Sequence, residues 1–157
     1  MFTFFFTEAS PFSQWYRCSF TAGANKFNCA EQYMMHGKAL LFDDAAAAAK
    51  ILAADHPREH KALGRKVKGF VDTTWKRERE AIVRAGNHAK FTQNPTLREL
   101  LLATKGTTLV EASPFDKIWG IGLAASDARA QDPQQWKGQN LLGKILTALR
   151  DELIAGA

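Results

Sequence analysis

Two residues in "AEQYMMHGKAL" have the types and spacing that chemistry needs. Glu31 and Lys38 stand seven positions apart, so on a helix they lie two turns apart and point to nearly the same side. Each also has a structural alternative. Asn28-x-x-Glu31 has the form of a capping box, and Lys38 can lay its stem along the apolar Tyr33, Met34 and Met35.

A third charge sits in "SPFDKIWGIG". Pro114 restricts this loop, Gly120 and Gly122 permit unusual backbone, and Asp116 stands beside the flat face of Trp119. Such a set suits a heteroaromatic ligand, and the structural alternative is an Asx turn beside a core tryptophan. The same loop letters occur earlier: Glu8-Ala9-Ser10-Pro11-Phe12 matches Glu111-Ala112-Ser113-Pro114-Phe115. Trp15 and Trp119 come soon after the two copies, an arrangement that can place two strand ends side by side. Trp75 falls in the first turn of its helix, where free N–H groups can meet an anion, and Trp136 reads as core. Asn140, at the start of the last helix, is either an N-cap or an amide for a phosphate or sugar hydroxyl.

Other chemistries find no footing. His36, His56, His60 and His88 lack partners at catalytic spacing, and Ser10 and Ser113 lack a nucleophile elbow. Neither a P-loop nor a dinucleotide fingerprint is present. Cys18 and Cys29 are too few for a disulfide scaffold and match no zinc spacing, so no metal and no cofactor are expected.

The elements that must hold these residues are read from caps and periodicity. "FTFFFT" and "TTLVEA" read as strands, and residues 17–28 as a hairpin around Gly23-Ala24-Asn25. Helices are expected from Asn28 to about Phe42, from the Asp43-Asp44 cap to Ala54, and from Pro57 to Gly64. A fourth is capped by Asp72-Thr73, a fifth runs from Asn94-Pro95 to Gly106, and "NLLGKILTALRDELI" closes the chain. Strands do not alternate regularly with helices, so the expected fold is a helix-rich α+β single domain over 1–157, with five or six helices.

With 46% apolar and 24% charged residues, this is the composition of a globular protein that can build its own core. No apolar run reaches the roughly 18 residues of a membrane span, and the opening "MFTFFFTEASPF" lacks a basic leader, so a cytoplasmic location is expected. Net charge is +5, concentrated in residues 41–100, where 12 Lys/Arg face 8 Asp/Glu. That excess fits a phosphorylated ligand or nucleic acid, or simply a solvated helix face.

Taken in order, "SPFSQWYRCSF", "FNCAEQYMMHGKALLF", "ILAADHPREHKALGRKVKGF", "TWKREREAIVRAGNHAKFTQNPTLRELLLAT", "LVEASPFDKIWGIGL" and "WKGQNLLGKILTALR" resemble the NADAR domain family, the YbiA-like N-glycosidases. The likeness covers about residues 4 to 151. It implies hydrolysis of a bond between ribose C1 and an exocyclic amine of a base. One branch of the family acts on phosphoribosylamino-pyrimidine intermediates of riboflavin synthesis, another on guanine carrying ADP-ribose in DNA. By resemblance, Glu31 is the acid/base, Lys38 an electrostatic partner or Schiff-base amine, and Asp116 the positioner of water or a ribose hydroxyl. Trp75, Trp119 and Trp15 would then line the substrate, and Asn140 would meet a phosphate or hydroxyl. Ser13-Gln14-Trp15 departs from the Ser-Asn-Phe of many relatives. The implied partners are a phosphorylated ribosylamine or an ADP-ribosyl substrate, including nucleic acid that carries it. The reading from a different class is a non-catalytic binder of ADP-ribose or a nucleotide, against which the intact Glu31, Lys38 and Asp116 speak.

Overall fold

Strand-forming residues open the chain, and their partner is far away in sequence. In the computed structural model, which describes residues 1–156, β1 (Phe2–Phe5) pairs in parallel with β4 (Thr108–Glu111), Phe2 opposite Thr108 and Phe5 opposite Glu111. The twin loops therefore leave the same end of one two-stranded sheet. A second pair, β2 (Phe20–Ala22) and β3 (Asn25–Phe27), is an antiparallel hairpin. Gly23 turns it with φ +59°, the positive value that the first central residue of a tight hairpin turn takes. Helices α1 (Ala30–Leu41), α2 (Ala45–Ala53), α3 (Pro57–Gly64), α4 (Asp72–Gln93), α5 (Pro95–Leu102) and α6 (Leu141–Ala155) supply the rest, with two short 3₁₀ turns before α6. The fold is helix-rich α+β, as the caps and periodicity predict.

Element ends differ from expectation by a few residues. Helix α1 begins at Ala30 with Cys29 as its cap, and α5 stops at Leu102, with turns closing the distance to Gly106. Asp44 caps α2 as expected, its side chain accepting the Ala47 N–H at 3.0 Å.

Contacts divide the chain into two compact units. One is Gln14–Asn94; the other is Met1–Ser13 with the chain from Pro95 on. In the first, α1 packs against α2, α3 and α4. Gly64 and Gly86 make those approaches possible, since a Cβ at Gly86 would stand 2.5 Å from the Tyr33 ring and one at Gly64 would run into the Met35 sulfur. Phe20 and Phe27 stack at 5.6 Å beneath Tyr33. In the second unit α6 lies on β4, and Val110, Ile121, Leu123 and Ala130 are buried with Phe2, Phe4 and Trp136 packed against them. Trp136 is core, its indole N–H donating to the Ala130 carbonyl at 2.9 Å. Among the described residues no helix is long and apolar enough to cross a membrane.

Two histidines belong to the core of the first unit. His60 is fully buried, and its Nε2 faces the Ala54 carbonyl at 2.7 Å. A carbonyl only accepts, so Nε2 carries the hydrogen and Nδ1, 3.6 Å from Cys29 Sγ, is the bare nitrogen. Burial pushes His60 and the buried His36 below their ordinary 6.5 and the Cys29 thiol up to about 11. This Cys–His contact is therefore inert packing and makes no nucleophile.

Because both histidines have depressed values when folded, the unfolded chain binds their protons first as pH falls. Their stabilising contribution is complete above pH 6.5 and is lost as pH drops below it. The urea midpoint should decline from about pH 7 to about pH 5, and less steeply in His60→Gln. A midpoint flat across that range contradicts the assignment.

Candidate functional site

Residues Glu31 and Gln32 are adjacent on α1 and divide two jobs between them. Gln32 accepts the Asn28 N–H at 2.8 Å and donates to the Ile51 and Leu52 carbonyls at 3.1 and 3.3 Å. The reach-back that a capping box would ask of Glu31 is thus performed by Gln32, one residue further round. Glu31 is left with a buried carboxylate, 5% exposed, that does no capping. Its backbone N–H donates to the Gln14 carbonyl at 2.9 Å, and its Oε1 accepts the Trp15 indole N–H at 3.3 Å.

Two turns along α1, Lys38 is half-buried. Its Nζ lies 4.8 Å from the centre of the Phe70 ring and 5.4 Å from that of Trp75, which stands in the first turn of α4. Burial lowers the amine below its ordinary 10.5; Arg65 pushes it the same way, and the Glu31 carboxylate opposes. Glu31, Lys38, Trp15 and Trp75 accordingly belong to one unit, and Glu31 and Lys38 act on each other electrostatically. Sequence reasoning missed Phe70 and Arg65. The single signal available was an aromatic after Gly69 in an otherwise basic run.

The other expected residues lie in the second unit. Asp116 forms the Asx turn: Oδ1 accepts the N–H groups of Ile118 at 2.9 Å and Trp119 at 2.8 Å. Its backbone carbonyl accepts from Gly122, whose φ is +70°. A Cβ at Gly120 would lie 2.9 Å from the Glu111 carbonyl and 3.0 Å from that of Asp116, so the loop closes only on glycine. One carboxylate oxygen of Asp116 is spent on shaping this loop, and Oδ2 takes no part in the turn. Trp119 is half-buried on the same loop.

Asn140 occupies the N-cap position of α6, but its side chain makes no cap bond. It is fully buried, Oδ1 accepting the Glu111 N–H at 3.0 Å and Nδ2 donating to the Leu109 carbonyl at 3.1 Å. The amide expected to meet a phosphate or hydroxyl serves strand β4. A cavity of about 350 Å³ in the first unit is lined by Cys18, Lys26, Phe27, Asn28, Gln32 and Asp55 among others, and none of the expected site residues lines it.

Comparison with known proteins decides the family. The NADAR domain model matches residues 3–154. This chain belongs to the NADAR domain family. Among NADAR relatives, an N-glycosidase of Acanthamoeba polyphaga mimivirus is 46% identical over 146 residues, 90% of this chain and 86% of that protein. A riboflavin biosynthesis protein of Vibrio vulnificus is 32% identical over 141 residues, 90% of this chain but 35% of that protein. The NMR structure of the Escherichia coli protein YbiA superposes with a TM-score of 0.81 at 26% identity, over 99% of this chain and 86% of that one.

Because Asn140 ties backbone groups of β4 to α6, its loss should register in stability. Asn140→Ala strands a buried carbonyl and a buried N–H, a cost of about 2–3 kcal/mol. At this chain length that is a fall of roughly 5–10 °C in Tm. An unchanged Tm combined with a raised KM would return Asn140 to the substrate.

Proposed function

We propose that this NADAR protein is an N-glycosidase that hydrolyses the bond between ribose C1 and an exocyclic amine of a base. The observation that carries the reading is the pairing on α1. A buried carboxylate excused from capping acts electrostatically on a half-buried lysine whose proton is weakened by burial. Buried carboxylates beside perturbed amines are a signature of catalytic sites. The NADAR relatives named N-glycosidase lend the reaction class.

Chemistry at such a bond needs few groups. The ribosylamine opens to an iminium at C1 as the bond from C1 to the ring oxygen breaks and that oxygen takes a proton from water. The neutral Lys38 amine adds at C1, giving a new C–N bond. Glu31 takes a proton from the attacking nitrogen and returns it to the departing base amine, so the old C–N bond breaks with the base leaving neutral. Water then hydrolyses the lysine imine, releasing the sugar and restoring the free amine. A lowered lysine value favours this route, because only the unprotonated amine attacks. Trp75 bounds the Lys38 amine and is assigned to the base or ribose. Asp116 and Trp119, on the second twin loop, are assigned to orient water or a ribose hydroxyl and to stack on the ring.

Two substrate classes share this junction: phosphoribosylamino-pyrimidines and guanine bearing ADP-ribose. The riboflavin names of several relatives favour the first, and the basic residues of the middle third suit the phosphates of either. Separate incubation with a phosphoribosylamino-pyrimidine and with an ADP-ribosylated guanine oligonucleotide, compared by kcat/KM, assigns the class. Turnover of neither overturns the proposal.

Glu31→Gln should abolish cleavage with Tm nearly unchanged, since Gln32 holds the cap; loss of fold in step with activity would make Glu31 structural. Borohydride added during turnover should fix a sugar adduct on Lys38, read by intact mass and peptide mapping. Absence of an adduct together with an active Lys38→Arg removes the imine.

A further inference from the structure

Family likeness makes loop residue Trp15 a wall of the substrate site, and its geometry gives it a different task. We infer that Trp15 is a positioning residue whose indole N–H fixes the carboxylate of Glu31. The inference rests on the role proposed for Glu31 and assigns one group that holds it.

The loop carrying Trp15 is held from several directions. Glu31 donates its backbone N–H to the Gln14 carbonyl at 2.9 Å, clamping the loop to the first turn of α1. On the other side, Gln14 Oε1 accepts from Nδ2 of the fully buried Asn87 on α4 at 2.9 Å, and that nitrogen is also anchored on the Val83 carbonyl. The Trp15 ring meets His56 edge-on, with centroids 6.1 Å apart and planes at 88°. His56 is itself fixed, because its Nδ1 accepts the Arg58 N–H at 3.0 Å and so caps α3. With backbone and ring both backed, the indole is a stationary donor.

An indole has one hydrogen to give, and here it goes to Glu31 Oε1 at 3.3 Å. The terminal torsion of a glutamate is broad and nearly two-fold, so an untethered carboxylate would sample many planes. Tying one oxygen selects one plane for the group that is to accept the proton. Glu31 also acts electrostatically on Lys38, further along α1, and Arg65, just past α3, bears on that same lysine. Ligand contact by the Trp15 ring is not needed for any of this. A wall would act mainly on substrate affinity, whereas a tether acts on the reacting group.

Trp15→Phe separates the two, because it keeps an aromatic ring beside His56 and removes the N–H. With whichever of the two substrate probes is turned over, we expect kcat to fall about ten- to a hundredfold, the weight of one hydrogen bond to a charged group, and KM to stay within about twofold. A raised KM with kcat kept overturns the inference in favour of a wall. Should Trp15→Phe fail to fold, the indole proton resonance of Trp15 decides in the parent fold: on Glu31→Gln it should move more than the other indole protons. An unmoved resonance overturns the tether. If Glu31→Gln keeps the parental kcat, the role of Glu31 falls and takes this inference with it. If Glu31→Gln is inactive while Trp15→Phe keeps kcat, the tether alone falls.

Discussion

Half of this fold depends on how the free edge of a very short strand is satisfied. Among the described residues β4 has β1 on one side and no strand on the other, and its buried N–H and C=O groups need partners there. Side chains of α6 and its cap provide them. Asn140 takes the Leu109 carbonyl and the Glu111 N–H, and Thr147 Oγ1 accepts the Leu109 N–H at 2.9 Å. For this the helix must come unusually near, and Gly143 allows it, since a Cβ there would collide with the Leu109 carbonyl and the Asn140 side chain. Asn140 adopts φ +53°, a conformation asparagine tolerates better than most residues, and its N–H donates to the Gly120 carbonyl. One residue thus joins strand, helix and the glycine loop that carries Asp116 and Trp119.

In the unit formed by Gln14–Asn94 the corresponding centre is α1. Successive residues on a helix point about 100° apart, so Gln32 can knit α1 to the end of α2 while Glu31 faces the Trp15 loop. At Lys38 two effects compete. Rings near a cation stabilise it by roughly 0.5–2 kcal/mol, whereas removing the ammonium from water disfavours it. The net direction is downward, so desolvation outweighs the pull of the Glu31 charge. An amine in that balance is readier to lose its proton than a surface lysine, and it remains within the electrostatic reach of a carboxylate.

Local rules made much of this legible. Asp44 caps, Pro57 and Pro95 open helices, and the seven-residue interval of Glu31 and Lys38 puts both on α1, because each depends on neighbours within a turn or two. What could not be read depends on partners distant in sequence. Glu31 and Gln32 both stand within reach of Asn28, and only the carbonyls at the end of α2 decide that the glutamine turns back. Asn140 is legible as the start of α6, but the groups it serves lie 29 and 31 positions earlier. Phe70 meets Lys38 from a loop whose path no periodicity encodes. The hydrogen bonds of Trp15 to Glu31 and of Asn140 to β4 likewise join residues 16 to 31 positions apart.

The doubled Glu-Ala-Ser-Pro-Phe shows how identical letters serve one geometry and then part company. Both copies leave the same end of the β1–β4 pair, and in both the serine Oγ accepts the N–H two residues on, Phe12 at 3.3 Å and Phe115 at 3.2 Å. The repeat therefore encodes a turn, the same exit from two parallel strands. Divergence begins immediately after the phenylalanine. In the first copy Ser13 and Gln14 lead to a segment that Asn87 and the Glu31 backbone hold in place, which brings an indole to a carboxylate. In the second, Asp116 winds the chain back on itself through two N–H groups, and Gly120 and Gly122 let it close. The difference between the loops thus resides in the residues just past the shared letters: Ser13 and Gln14 in one, and an acid that curls the chain in the other.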